Sequence, residues 1–214
     1  MKGILMTPAN HLATRKRIKT MTRRLDGLKE INKEPDKWHV ADFYQATGGN
    51  NKWWAWFSKD GEGGKPYTII PRYQPNETVY LKEVWYAYGR WVREFDKWWF
   101  EQLKDEIRYS DNTPSYMPDG FSRKVHATDW HKRSPLFLSE ENARDFIKIT
   151  KVGIGRLQDI TEEEAKAESA EALYKTAPNT FGAGYIWTPH GYRDGFIKLW
   201  NSINGKTYPW KLNP

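Results

Sequence analysis

The chain has 214 residues, a length that suits one folded domain with a substantial core. Its 34 lysine and arginine residues outnumber 27 aspartate and glutamate residues, and the resulting formal charge of +7 favours polyanionic partners, in particular nucleic acid. Cysteine is absent, which excludes disulfides, thiolate metal sites and cysteine nucleophiles. The N-terminal apolar run is too short for a signal peptide, and no window approaches the roughly 18 apolar residues of a membrane span. The composition therefore predicts a cytoplasmic protein without a membrane partner.

The N-terminal third is predicted to contain a strand, a helix and a hairpin. Residues 3–6 (GILM) form a short apolar run typical of a buried strand, and a helix is predicted from Pro8 to Arg17. The segment KTMTRRL (19–25) is interpreted as a turn leading into a strand. Two aromatic runs, WHVADFYQA and KWWAWF, flank glycines and asparagines at positions 48–51, and this pattern predicts a β-hairpin.

The middle of the chain is predicted to continue a mostly antiparallel sheet. Strands are expected at YTIIP, ETVYLKEVW and DFIKITKVGI, with DGEGGKP as a turn. The segment from Tyr86 to about Trp130 is less regular, and we interpret it as an insertion with a helix around WWFEQLKDEI.

Two helices are predicted in the C-terminal third. Thr161 and Glu164 have the spacing of a capping box, and the helix is expected to continue through AKAESAEALYK. The segment GYRDGFIKLWNSI has apolar residues at helical spacing, which predicts a helix that packs on the sheet. These apolar residues are Phe196, Ile197, Leu199, Trp200 and Ile203.

The sequence shows no pattern typical of a metal centre or a serine nucleophile. The histidines are scattered, with no pair at the i, i+4 spacing of a helical ligand motif, and G-x-S-x-G is absent. They are His11, His39, His126, His131 and His190. We therefore predict neither a metal site nor a cofactor.

The basic run that ends in KTMTRR combines charge with hydroxyl groups. Lys19 can act as a general base if burial or neighbouring cations lower its pKa, and Arg23 and Arg24 act in that direction. A hydroxyl such as that of Thr20 or Thr22 can then be activated as a nucleophile or can orient a water molecule. The alternative is a solvated basic strand that contacts phosphates.

Several stretches of the chain occur in the order typical of one protein family. They are KTMTRR, YQPNETVYLKEVW, WHKRSPLF, ITKVGIGRLQDITEEEAKAE and LWNSINGKTYPWKLNP. On these motifs the chain resembles the ASCH-domain proteins, a branch of the PUA-like superfamily, and most closely the long versions encoded by phages and prophages. The resemblance implies an α+β fold, namely a PUA-like, mostly antiparallel β-barrel with flanking helices. It also implies that residues 1–214 form a single domain with an insertion at about 86–130.

The resemblance further implies a chemistry. Small members of this family are amidohydrolases that remove the acetyl group of N4-acetylcytidine with a lysine, a threonine three residues later and a glutamate. In this chain those roles fall on Lys19, Thr22 and Glu168. The substrate-binding candidates around them are Thr20, Arg23, Arg24 and Glu83. The alternative for Glu83 is an ion pair with Arg23 or Arg24.

The chain departs from the family pattern at two turns. Relatives usually have Gly-Asp before the middle strand, where this chain has Asn76 and Glu77. A glycine commonly follows the family glutamate, where this chain has Ser169. Both positions bear on the shape of the pocket.

The expected function is binding of a nucleic acid or a modified nucleoside, with hydrolysis of N4-acylated cytidine as its enzymatic form. One alternative is a non-catalytic RNA- or DNA-binding module that adds aromatic rings to the basic cleft. The rings considered are Trp53, Trp54, Trp98 and Trp99. Another alternative is a phage-encoded protein that interferes with host defence.

Overall fold

The computed structural model describes residues 1–46, 51–61, 66–112, 128–171, 173–178 and 185–214. The strands are β1 (Lys2–Leu5), β2 (Trp38–Gln45), β3 (Trp53–Lys59), β4 (Tyr67–Ile69), β5 (Thr78–Lys82), β6 (Trp85–Glu94), β7 (Lys97–Tyr109), β8 (Asp129–Arg133), β9 (Phe146–Lys148), β10 (Leu173–Pro178) and β11 (Tyr185–Gly191). The α-helices are α1 (Pro8–Arg15), α2 (Glu162–Ala167) and α3 (Tyr192–Asn204). Short 3-10 helices lie at Ile31–Lys33, Pro35–Lys37, Pro135–Phe137, Leu157–Asp159 and Trp210–Leu212.

The chain divides into two compact units, each built from two segments. The first unit contains Met1–Arg15 and Thr78–Lys148, and the second contains Lys16–Glu77 and Ile149–Pro214. Strands and helices occur together in both units, so the α+β class is confirmed. None of the described helices combines the length and the apolar composition that a membrane span requires.

The first unit contains two three-stranded sheets. In one sheet β5 is central, parallel to β1 and antiparallel to β9. In the other sheet β6 is central and antiparallel to both β7 and β8. The predicted strand at residues 3–6 and the predicted helix from Pro8 are confirmed, although the helix ends at Arg15. Ile4, Val79 and Leu81 are fully buried, because these apolar residues lie at neighbouring positions of the first sheet.

The helix predicted around WWFEQLKDEI is wrong, because this segment belongs to the long strand β7. The chain reverses after β6, and Phe95 in the turn has a positive φ of 53°. Trp91 and Phe100 are then cross-strand partners with ring centroids 5.5 Å apart. Aromatic cross-strand pairs stabilise a sheet, and here they outweigh the helical propensity of the intervening charged residues. Residues 113–127 of the predicted insertion lie outside the described residues.

The second unit confirms the predicted hairpin, in which β2 and β3 are antiparallel and β4 adds a third strand. Residues 47–50 of its turn lie outside the described residues. Ala55 and Phe57 of β3 alternate inward and pack with Ile31 and Ile69 in one buried cluster. The strand predicted for residues 19–25 is wrong, since this segment has no regular secondary structure.

Helices α2 and α3 pack together around a second buried cluster of the same unit. The predicted capping box is confirmed: Glu164 N donates to Thr161 Oγ1 at 3.1 Å, and Thr161 N donates to Glu164 Oε2 at 3.2 Å. The predicted α3 is confirmed, and among the described side chains Phe196 and Trp200 pack with residues of α2 and its neighbours. The exposed fraction of Ile203 is 55%, so this residue lies outside the buried stripe.

The strand pairs are antiparallel except for β1 with β5, which confirms the mostly antiparallel arrangement. The described strands form four separate sheets, and none of these sheets closes on itself. The PUA-like barrel and the single domain therefore stay predictions.

Candidate active site

Lys19 and Glu168, which are 149 positions apart in sequence, meet in the interior of the second unit. Lys19 Nζ donates to Glu168 Oε2 at 2.5 Å and to the backbone oxygen of Glu168 at 2.9 Å. The exposed fractions are 5% for Lys19 and 4% for Glu168. Charged side chains are rarely buried to this extent without a partner, so the two residues form a single buried unit.

The segment around Lys19 is held in place by the C-terminal end of α2. The backbone N–H groups of Thr20 and Met21 donate to the oxygen of Ala167 at 2.9 and 3.1 Å. The last carbonyl groups of a helix have no partner within the helix, and they carry the negative end of its dipole. The basic segment supplies these missing donors, and Lys19 adds a cation at the same end of the helix.

Helix α2 ends at Ala167 because the next residues form a Schellman motif. Ser169 N donates to Lys166 O at 2.9 Å, and Ala170 N donates to Ala165 O at 3.1 Å. Ser169 has a φ of +63°, the left-handed conformation that glycine usually supplies at this position. Ala170 is buried in the cluster with Phe196. The sequence-based extension of the helix through AKAESAEALYK is therefore wrong, and Glu168 is the C-terminal cap.

Replacing Ser169 with glycine is expected to stabilise the protein by about 0.5–1 kcal/mol, because glycine adopts a positive φ without the steric cost of a Cβ atom. The measurement is the free energy of unfolding in urea. Ser169→Ala is the control, since alanine keeps that cost and is expected to give no gain. A glycine variant less stable than the wild type contradicts this account of the turn.

Arg23 connects the basic segment to the side of α2. Its Nη2 donates to Glu164 Oε2 at 2.8 Å, and its guanidinium carbon lies 5.9 Å from the ring centroid of Phe196. The hydrogen bond from Arg23, followed by the one from the Thr161 backbone, lowers the pKa of Glu164. Glu164 thus caps helix α2 and also holds the guanidinium group of Arg23 in place. The capping-box motif in the sequence predicts only the first of these roles.

Burial lowers the pKa of Lys19 below the ordinary value of a lysine. Desolvation is the largest cause; the charge and hydrogen bond of Glu168 oppose it, and Arg24 and Arg23 add to the lowering. The neutral amine is the form that accepts a proton, so this environment favours the use of Lys19 as a base. The sequence-based expectation about its neighbours agrees with this direction.

The second carboxylate oxygen of Glu168 is free of hydrogen bonds within the described part of the chain. This buried Oε1 atom lies 3.9 Å from Arg23 Nη1, beyond hydrogen-bonding distance. A buried carboxylate oxygen without a donor is costly, and such atoms are uncommon in folded proteins. Glu168 therefore retains one oxygen that can accept a proton or a ligand donor.

The remaining candidates of the basic segment lie closer to solvent. Thr22 and Arg23 are half-buried, whereas Thr20 and Arg24 are exposed. Among the described residues, Thr22 forms no hydrogen bond with Lys19 or Glu168, although it lies on the same short segment. The structure thus brings Lys19, Glu168 and Arg23 together, whereas Thr22 is half-buried on the same segment and forms no hydrogen bond with Lys19 or Glu168 in the described part of the chain.

Glu83 lies in the first unit, with an environment of its own. The sequence offered Arg23 or Arg24 as its ion-pair partner, but Arg144 occupies this role. Arg144 Nε donates to Glu83 Oε1 at 2.7 Å, and its Nη2 donates to Glu83 Oε2 at 2.8 Å. A bidentate guanidinium contact of this kind accounts for the burial of the carboxylate, whose residue is 2% exposed.

Two features of the site were not anticipated from the sequence. The carbonyl oxygen of Ala167 carries no side-chain signal, yet it holds the backbone of the basic segment. Glu164 was identified as a capping residue, but its ion pair with Arg23 depends on a contact across 141 positions.

Comparison with known proteins gave no match to this chain, whether among protein-family models, curated proteins or solved structures.

Proposed function

We propose that the chain is an ASCH-domain protein that binds a modified nucleoside or nucleic acid and hydrolyses the amide of N4-acylated cytidine at the Lys19–Glu168 site. The observation that carries the proposal is the burial of Lys19 against Glu168, with one oxygen of Glu168 left without a donor. The family resemblance assigns catalysis to the same two residues. An exposed basic strand and an exposed helix have no reason to join these groups.

The proposed reaction uses the pair to move one proton. The neutral amine of Lys19 removes a proton from water, oriented by Thr22, or from the Thr22 hydroxyl itself. The oxygen so activated adds to the acyl carbon, and the carbon–N4 bond breaks. Glu168, in contact with Lys19 at 2.5 Å, delivers the proton to the departing N4. Water is the second reactant in both routes: it either attacks the acyl carbon directly or later hydrolyses an acyl-threonine intermediate. The products are cytidine and a carboxylic acid.

The two departures from the family pattern also support the family proposal. Asn76 has a φ of +68° and Ser169 a φ of +63°. Each therefore takes the left-handed conformation at a place where relatives commonly have glycine. Asparagine is the residue that tolerates this conformation best after glycine, so the turn before β5 keeps its shape despite the substitution.

The test is incubation of the purified protein with a panel of N4-acylated cytidines, with release of cytidine followed by chromatography. We expect hydrolysis at a rate that increases with pH as Lys19 loses its proton, with a midpoint below the ordinary lysine pKa. A chelator is expected to leave the rate unchanged, because the proposed steps use an amine, a hydroxyl and a carboxylate and no metal. Complete inertness toward all members of the panel contradicts the enzymatic proposal.

A second candidate function, binding of unpaired RNA without catalysis, is favoured by a cavity in the second unit. The cavity has a volume of about 660 Å³ and is lined by Phe43, Trp53 and Lys151 among others. The ring centroids of Phe43 and Trp53 lie 5.0 Å apart with a tilt of 30°, and Lys151 adds a positive charge to the lining of the same cavity. Aromatic rings beside a cation are what stacking on an unpaired base requires.

If the cavity binds a base, Trp53→Ala is expected to weaken binding of a fluorescent single-stranded RNA by about 1–3 kcal/mol, the usual contribution of one stacked base. Binding is also expected to weaken steeply with salt, because contact of a basic protein with phosphates releases counterions. Trp56→Ala is the matched control, since Trp56 lies on the same strand outside the cavity lining. Equal affinity of wild type and Trp53→Ala excludes this candidate.

A further inference from the structure

Three side chains with metal-ligand chemistry converge in the first unit, although they lie far apart in sequence. His11 lies on α1, Glu83 directly follows β5, and Asp145 directly precedes β9. His11 Nε2 is 3.0 Å from Asp145 Oδ2 and 3.4 Å from Glu83 Oε1. One donor atom from each residue can be chosen so that all three lie within 4.8 Å of one another.

Two of the three facing atoms of this cluster, His11 Nε2 and Asp145 Oδ2, lack ordinary hydrogen bonds within the described part of the chain. His11 is 3% exposed, and its Nε2 atom has no hydrogen-bond partner among the described residues. The buried Oδ2 atom of Asp145 also lacks one there, despite lying 3.0 Å from His11 Nε2. The imidazole nitrogen and the carboxylate oxygen thus lie close together without a hydrogen bond between them. Two ligands of one cation have the same arrangement.

The spacing of the atoms agrees with coordination of a transition metal. Imidazole nitrogen and carboxylate oxygen bind Zn²⁺ at about 2.0–2.2 Å, so two ligands at tetrahedral or octahedral angles lie about 3.0–3.5 Å apart. The distances from His11 Nε2 to the two carboxylates, 3.0 and 3.4 Å, fall in this range. One imidazole with two carboxylates is a ligand set for a divalent first-row metal and lacks the thiolates of a typical structural zinc site.

The surrounding charges hold the carboxylates and leave the cluster negative. Arg144 binds both oxygens of Glu83, and Arg15 Nε lies 3.4 Å from Asp145 Oδ1. Asp111 in turn accepts two hydrogen bonds from Arg144 Nη1 at 2.8 Å. The three carboxylates of Glu83, Asp145 and Asp111 thus carry one more charge than the two guanidinium groups that contact them. Outer-shell hydrogen bonds of this kind orient ligating carboxylates in metalloproteins.

We propose that His11, Glu83 and Asp145 bind a divalent transition-metal ion, with Arg144 and Arg15 as outer-shell partners of the carboxylates. The sequence predicted no metal site, because scattered histidines and isolated carboxylates show no ligand spacing along the chain. The site lies in the first unit and does not depend on the proposed hydrolase function.

The proposal is tested by titrating the full chain, stripped with EDTA and dialysed, with Zn²⁺ in a calorimeter. We expect one Zn²⁺ per chain with a micromolar or tighter dissociation constant, and an increased melting temperature. Removal of an outer-shell partner weakens metal sites by about 10- to 100-fold, so His11→Gln, which removes a ligand, is expected to cost at least about 100-fold. His39→Gln is the matched control, because His39 lies 3.3 Å from Asp60 in an exposed pair.

Titration with Co²⁺ identifies the ligands independently of Zn²⁺ affinity. We expect visible absorption bands for wild type and one paramagnetically shifted imidazole, with both signals lost in His11→Gln and in Asp145→Asn and kept in His39→Gln. Asp145→Asn provides the comparison if His11→Gln does not fold. Absence of Zn²⁺ binding by the folded wild type overturns the proposal, as does equal affinity of the wild type and a folded ligand variant.

Discussion

Glu168→Gln, Lys19→Met and Thr22→Val are each expected to reduce the rate of hydrolysis of N4-acetylcytidine by about 10²–10⁴-fold, the usual contribution of a positioned acid or base. Each replacement keeps the approximate volume of the side chain and removes its proton-transfer chemistry. The buried contact between Lys19 Nζ and Glu168 Oε2 makes both residues necessary for the same proton transfer, so the double variant is expected to lose little more than either single variant. The measurement is kcat/KM by chromatography.

Exposed residues of the same elements provide the controls for these variants. Lys16 precedes the site on the basic run, and Glu163 lies on α2, and both are exposed. Lys16→Ala and Glu163→Ala are expected to keep the wild-type rate and its dependence on pH. If wild type is active and the three site variants hydrolyse the substrate equally well, the assignment of the reaction to Lys19, Thr22 and Glu168 is wrong.

Glu168→Ala is expected to reduce the free energy of unfolding by about 3–5 kcal/mol, because it leaves the ammonium group of Lys19 buried without a counter-charge. Replacing both residues with methionine is expected to cost much less, since no charge then remains in the interior. Burial lowers the pKa of Lys19 in the folded chain. Over a range of pH the unfolded chain therefore keeps the ammonium proton of Lys19, which the folded chain has lost. The stability of Glu168→Ala should therefore increase as the pH is raised toward the ordinary lysine pKa.

The measurement is urea unfolding of the single and double variants at several pH values. Arg90 and Glu101 supply the control, because their 2.6 Å ion pair lies on the solvent-accessible part of β6 and β7. Glu101→Ala is expected to cost less than about 1 kcal/mol at every pH, as solvent-exposed pairs do. Equal losses for Glu168→Ala and the double methionine variant contradict the unpaired-charge explanation.

Elements with strong local signals were predictable from the sequence. The hairpin of β2 and β3 follows from two aromatic runs with a turn between them, and the start of α2 follows from Thr161 and Glu164. Such signals involve residues a few positions apart, so they act before any tertiary contact forms. The candidate residues Lys19, Thr22 and Glu168 could be named only through the resemblance to a family, since a lone lysine or glutamate has no local signature.

Tertiary structure decided where several local patterns end. Helix α2 stops at Ala167, although favourable helix formers continue after it, because Ala170 is buried with Phe196 and Ser169 turns the chain. Segment WWFEQLKDEI is a strand because Phe100 pairs with Trp91 across the hairpin. In both places, burial and pairing with distant residues outweigh propensities of less than about 1 kcal/mol per residue.

The chemistry of this protein likewise depends on contacts that no spacing in the sequence reveals. By itself the sequence determined the charge, the absence of cysteine and the identity of the reactive groups. Only the tertiary structure placed Glu168 on Lys19 and gathered His11, Glu83 and Asp145 in one cluster. The physical reason is that a pKa shift or a ligand set requires burial and distances of a few ångströms, and both are properties of the folded chain.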